Sequence, residues 1–264
     1  MTRSRLIVIT LGIIFAVVVG GYIAYDQVLR GDSVAALALP TPSSSETAAA
    51  STAPSNAASE PAPSAASSAA AATASTAPVA AAGDLAGTWN VTSGGQAGYR
   101  VREKLANLPA ESDAVGRTDQ VSGSITLETT DATTTLSSGT ITVDTTSITS
   151  DESRRDNRMR REGLETDAFP TATFTVTSPV EIPQAAIDGT ATNVTLTGDL
   201  TLHGVTKSVE IPAQARLSDG TIQVAGSLSF PLSDYSITAP NVGGFVVSIA
   251  DEGALEFLLI FAKG

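Results

Sequence analysis

The sequence predicts an all-β fold: an antiparallel barrel of about eight strands with one short helix, preceded by one transmembrane helix and a disordered linker. Three observations carry that expectation. After Gly83, apolar residues alternate with Thr and Ser in short runs, the period-2 pattern of half-buried strands. Turn sequences separate the runs, "IDG" at 187–189, "SDG" at 218–220 and "DEG" at 251–253, and such connections keep neighbouring strands antiparallel. No helical periodicity alternates with the strands, which argues against a parallel α/β sheet.

The elements follow in chain order. Residues 1–5 carry Arg3 and Arg5, and residues 6–25, "LIVITLGIIFAVVVGGYIAY", carry no charge. Twenty helical residues at about 1.5 Å each match a hydrocarbon core roughly 30 Å thick. A cleaved signal peptide is the rival reading, but its apolar region is shorter and its small-residue cleavage site closer, so an uncleaved signal anchor is favoured. Positive charge before the span and none in excess after it leaves residues 1–5 cytoplasmic. The expected location is therefore a single-pass protein of the cell membrane with an extracytoplasmic C-terminal domain. Residues 26–82 form the linker, nearly all Ala, Ser, Thr and Pro from about residue 35 onward, and such a composition cannot offset the entropy of ordering.

Residues 83–264 form the barrel domain. "VSGSITLE" places Val121, Ile125 and Leu127 on one face, and "GTITVDT" does the same for Ile141 and Val143. Phe174 and Val176 follow, then Val194, Leu196, Leu200 and Leu202, then Val209 and Ile211. The pattern continues through Ile222, Val224, Leu228 and Phe230, through Phe245, Val247 and Ile249, and through Leu255, Phe257, Leu259 and Phe261. These faces suit a sandwich or a closed barrel, and closure removes the exposed edges that strands so rich in Thr and Val would otherwise present. An eight-stranded barrel is also wide enough for one ligand.

One stretch breaks the strand texture. "SDESRRDNRMRREGLETDAFPTATF", 150–174, packs five of the fifteen Lys and Arg residues into positions 154–161 of a chain whose net charge is −12. Thr149 and Glu152 form a capping-box pattern, with Ser150 and Asp151 as alternative caps, so a helix is predicted over about 152–161, stopping at Gly163. Met159, Leu164 and Phe169 are placed to press it onto the end of the barrel. The arginines read first as a solvated helix face that complements the helix dipole. The functional alternative is that Arg154, Arg155 or Arg158 meets an anionic lipid head group.

Chemistry is sparsely supplied. There is no cysteine and a single histidine, His203, so disulfides and thiolate metal sites are excluded. Asp199 and His203 share a strand face but lie about 13 Å apart along it, too far to share a metal. His203 precedes Gly204 in a turn and is expected to bond locally, with a ligand contact as the alternative. Twelve Lys and Arg against twenty-three carboxylates over 83–264 disfavour nucleic acid as a partner.

Four stretches, "SDESRRDNRM" at 150–159, "FPTATF" at 169–174, "TGDLTLHGVTKSV" at 197–209 and "EGALEFLLI" at 252–260, together resemble the YceI-like family, described as polyisoprenoid-binding, lipocalin-like β-barrels. The resemblance covers nearly all of 84–264. It implies a short helix near one end and a long apolar tunnel holding an isoprenoid chain, of polyprenyl or quinone type. Combined with the strand faces, it gives the tunnel lining as Ile125, Leu127, Ile141, Val143, Phe174, Val176, Leu196, Leu202, Phe230, Phe245, Val247, Phe257 and Leu259. Arg154, Arg155, Arg158 and His203 become candidates for the head group or mouth. Many relatives carry a histidine in the first hairpin, where this chain has Tyr99, Arg100 and Arg102, so head-group contacts there would differ. No catalytic residue, metal or cofactor is expected. The expected partners are an isoprenoid lipid and the membrane, with a second copy of the chain admitted. The rivals are a ligand-free interaction or stress-response module of the cell envelope and, less favoured, an enzyme acting on a lipid in the same tunnel.

Overall fold

The computed structural model of the protein describes residues 34–40, 85–106, 111–130, 133–239 and 246–264. The expected membrane span over 6–25 lies outside them, as does the linker apart from residues 34–40. Among the described residues no helix is long and apolar enough to cross a membrane.

Among the described residues, eleven strands form one antiparallel sheet: β1 Gly87–Val91, β2 Gln96–Leu105, β3 Glu111–Thr118, β4 Val121–Thr129, β5 Thr134–Asp144, β6 Thr171–Val176, β7 Val180–Ile182, β8 Thr192–Leu202, β9 Val205–Ser218, β10 Thr221–Pro231 and β11 Val246–Lys263. Two pairs of them are single strands with a kink. β1 and β2 together run along β11, Trp89 facing Lys263 and Ala97 facing Phe257, while β4 and β3 together run along β1 and β2. The sheet thus closes as eight physical strands, each beside its neighbour, with β7 added against β5.

The inward face is the one that period 2 predicts. Ile125, Leu127, Val194, Ile211, Phe257, Leu259 and Phe261 are buried in one core cluster, with Ile141, Val143, Phe174, Leu196, Val224 and Leu228 packed against them. Two hairpins turn where they must: His203 and Gly204 have φ of 51° and 73°, and Asp219 and Gly220 have 50° and 74°. Two consecutive left-handed residues match the right-handed twist of the flanking strands. The other two expected turns differ. "DEG" lies inside β11, which absorbs it as an irregularity between Ile249 and Gly253 because β2 pairs on both sides of it. "IDG" ends a short helix, α2 (Gln184–Ile187), instead of closing a hairpin.

The predicted helix is α1 (Ser153–Arg158), continued by a single π turn over Met159–Gly163. Its cap is Glu152, whose carboxylate accepts from the Arg154 amide at 3.1 Å. Thr149 does not cap it, because its backbone is spent on a bridge to Arg117 of β3. Ser150 bonds instead to Asp156 through both its amide and its hydroxyl. Leu164 is buried at the exit, where Met159 packs with it.

Residues 34–39, inside the stretch expected to be linker, belong to the same compact unit as the barrel.

Candidate functional site

The barrel interior holds a cavity of about 200 Å³, and its walls are set by the alternation of the strands. Ten of the expected lining residues border it: Ile125, Ile141, Val143, Phe174, Val176, Leu196, Leu202, Phe230, Phe257 and Leu259. Leu127 borders a smaller cavity of about 50 Å³ that shares Ile125, Leu136, Leu196 and Val224 with the first, so the two lie in line. Phe245 and the side chain of Val247 lie outside the described residues. From Gly253 to Phe261 the β11 wall spans roughly 26 Å at about 3.3 Å per residue.

The two ends differ. At the far end Leu85 and Trp89 are buried, the Trp89 Nε1–H donates to the Leu85 carbonyl at 2.9 Å, and Ala186 of α2 is 2 % exposed. At the α1 end, Ile148, Met159, Leu164, Leu232 and Ile237 line the cavity from loops and turns that the strand pattern could not rank.

Polar groups gather at the α1 end. Glu103 follows Tyr99 and Val101 on one face of β2 and is 4 % exposed. Arg155 of α1 reaches it, Nη2 to Oε1 at 2.8 Å, and also pairs with Asp151. Burial favours loss of the guanidinium proton, but the two carboxylates outweigh it and hold the Arg155 pKa above its ordinary value. Burial likewise pushes the Tyr99 phenol up, against a smaller opposing pull from Arg155. The Tyr99 hydroxyl is buried and has no hydrogen-bond partner among the described residues, while its ring lines the cavity. The sequence marked Tyr99 only as one of the first-hairpin residues, with Arg100 and Arg102, where head-group contacts would differ from those of relatives. Glu103 was not legible, since a glutamate in a strand reads as solvent-facing.

The four expected mouth residues are placed as follows. Arg154 is exposed, Arg155 is tied to Glu103 and Asp151, and Arg158 is half-buried. His203 is held on both ring nitrogens, Nδ1 at 3.0 Å from the Tyr235 carbonyl and Nε2 at 3.0 Å from the Glu165 carboxylate, with the Phe169 ring 4.4 Å away centre to centre. None of the four borders either cavity. Among the described residues no group of three His, Asp or Glu is arranged to hold a metal.

A family model described as YceI-like domain matches residues 90–261. Solved structures are similar to the chain to different degrees. A polyisoprenoid binding domain from Saccharophagus degradans, implicated in plant cell wall breakdown, superposes with a TM-score of 0.52 at 22 % identity, covering 68 % of this chain and 99 % of its own. BcnA of Burkholderia cenocepacia has a TM-score of 0.45 at 20 % identity, covering 62 % and 95 %. The YceI protein of Campylobacter jejuni has 0.38 at 16 % identity, covering 53 % and 80 %. No curated protein sequence matches the chain.

Proposed function

This chain belongs to the YceI-like family, and on that premise we propose that it is a membrane-tethered, extracytoplasmic protein that holds an isoprenoid chain in its barrel and performs no catalysis. The observation that carries this reading is the distribution of polarity inside the barrel. The cavity is walled chiefly by Ile, Val, Leu and Phe, and Tyr99, which borders it, stands at the end where the Glu103–Arg155 pair lies just outside the lining. That arrangement suits a long hydrocarbon ending in one polar group and does not suit a sugar or a nucleotide, whose polar atoms would be left unpaired along the walls. The polyisoprenoid binding described for the Saccharophagus domain is consistent with it.

Energetics favour a carrier over a scavenger. Burying a methylene gains roughly 0.8 kcal/mol relative to water, but a bilayer already supplies that gain to its lipids. Transfer between membrane and barrel is then close to neutral and reversible. The span over 6–25 keeps the barrel beside that donor.

Native mass spectrometry of the protein purified from its own cells tests the reading. One isoprenoid per barrel, lost on solvent extraction and regained from vesicles, is the expected result. Absence of any lipid and no uptake from vesicles would remove it. The polar end has its own test. Tyr99→Phe should leave stability within about 0.5 kcal/mol, since the hydroxyl has no partner among the described residues to lose. It should weaken uptake of a prenyl quinone and leave uptake of a plain polyprenyl hydrocarbon unchanged.

A further inference from the structure

The wall of β11, β2 and β3 carries a charge cluster on its outer side, although Arg100 and Glu256 also contribute to the cavity wall. Glu256 of β11 stands opposite Gly98 of β2, and Gly98 stands opposite Arg117 of β3, so the three form one row across the wall. The glycine in the middle leaves Arg117 a clear path over β2. A Cβ there would fall 3.0 Å from the Arg117 Cα and Cγ. Arg117 reaches Glu256 at 3.1 Å, and Arg100, one row along, bonds the other Glu256 oxygen and Asp113. A glutamate on the outside of a barrel normally faces water, yet the side chain of Glu256 is only 4 % exposed.

Residues 34–39 cover it, and they bond its side chains through their own backbone. The Arg100 Nη2 donates to the Val34 carbonyl at 2.8 Å, Arg117 donates to the Ala35 carbonyl, and the Leu37 amide donates to Glu256 Oε2 at 3.2 Å. Leu37 and Leu39 are partly buried while Ala36 and Ala38 are exposed, the alternation of an extended chain on a surface. The cluster therefore presents two donors and one acceptor to a main chain in register, with small side chains facing away.

We infer that Arg100, Arg117 and Glu256 form a clasp for residues 34–39 that shortens the tether and aims the α1 end of the barrel at the membrane. The inference rests on the anchor reading above. Without the clasp, a flexible chain of the length expected for the linker would have a root-mean-square reach on the order of 40 Å. With it closed, only residues 26–33 separate the anchor from the barrel wall, and eight residues reach at most about 28 Å. Direction follows from the register. Val34 is held by Arg100 and Leu37 by Glu256, one row farther from the α1 end, so the chain enters the clasp from the side of Tyr99, Glu103 and α1. The polar end of the cavity is then the end nearest the bilayer, where a lipid would pass.

Two measurements on the full chain test this. In detergent micelles, amide hydrogen exchange at Leu37 should be at least about tenfold slower than in an unstructured chain, and Glu256→Gln should abolish that protection. For the second, a dye is attached to Ser229→Cys, on the exposed face of β10 in a chain that has no other cysteine. Energy transfer from it to labelled lipid in phosphatidylcholine vesicles should fall at least about twofold when residues 34–39 are replaced by Gly and Ser. That replacement leaves every barrel residue in place. An unprotected Leu37 amide in a chain that floats with vesicles overturns the clasp alone. A protected amide in a chain that does not float overturns the anchor reading and the tether role with it. Equal energy transfer from both chains overturns the claim that the clasp sets the distance.

Discussion

Phe257 and Glu256 are neighbours on β11, 8 % and 3 % exposed, and they are buried by different means. Phe257 faces inward and is covered by the opposite walls of its own barrel, whose side chains are apolar like itself. Glu256 faces outward and is covered by a segment more than two hundred residues away, held by charges that must pair to remain there. The inner face draws its stability from area removed from water, which tolerates exchange among apolar residues. The outer patch draws it from matched hydrogen bonds, and each partner it loses leaves a charge uncompensated.

The largest effect should come from putting charge on the inner face. Phe257→Asp places a carboxylate among Leu259, Phe261 and Ile211 with no donor in reach, a cost of several kcal/mol against a typical total of about 5–15. Loss of the folded β signal in circular dichroism is the expected outcome. Phe174→Asp, at a half-buried cavity position, should fold more nearly normally but fail to take up lipid. A folded, lipid-competent Phe257→Asp would mean that the inner and outer faces are exchanged.

That inner face was legible because it obeys one local rule. Residues 255, 257, 259 and 261 alternate, and so do 222, 224, 228 and 230, and no distant contact was needed to read them. The outer patch obeys no local rule. Arg100 and Glu256 are 156 positions apart, and the stretch that covers them reads as the beginning of a low-complexity spacer. Asp251, Glu252 and Gly253 misled for a related reason. Their turn chemistry is real, but pairing with β2 on both sides keeps them in a strand. The closure of the α1 end by Leu232 and Ile237 likewise depends on where loops arrive, which strand periodicity does not encode.

The outer patch should respond next most strongly. Glu256→Ala leaves Arg117 and Arg100 without their shared partner and should cost about 3 kcal/mol in urea unfolding. Acid should act in the same direction. Burial pushes the Glu256 carboxyl up, but the bonds from Arg100, the Leu37 amide and Arg117 outweigh it and hold its pKa below the ordinary 4.5. The unfolded chain therefore takes up that proton more readily. The stabilisation is complete above pH 4.5 and is lost as pH falls through the lower folded value. Asp144, lowered chiefly by its bond from the Thr146 hydroxyl, contributes with the same sign, fully above pH 3.8 and less as pH falls through its lower folded value. The diagnostic is thus the difference between wild type and Glu256→Gln, which should shrink as pH drops below 4.5. A constant difference would place the stabilisation elsewhere.

The smallest stability effect, and the finest use of the comparison, lies on α1, where adjacent arginines differ as Phe257 and Glu256 do. Arg155 is paired with a buried glutamate, so Arg155→Gln should cost about 2 kcal/mol through the stranded Glu103. Arg154 is exposed, and Arg154→Gln should change stability by no more than about 0.5 kcal/mol. If the clasp aims this end of the barrel at the bilayer, however, the exposed cation is the one that meets lipid head groups. A Lys or Arg near an anionic surface is worth roughly 1 kcal/mol, so Arg154→Gln should slow lipid exchange with anionic vesicles about fivefold and leave exchange with neutral vesicles unchanged. Raising salt to physiological strength should slow the wild type on anionic vesicles in the same way, because charges beyond about 8 Å are then screened. Exchange that ignores vesicle charge, salt and Arg154→Gln alike would leave the exposed arginines as a solvated helix face. Arg155 would then be the only one of the pair with work to do, and that work would be structural.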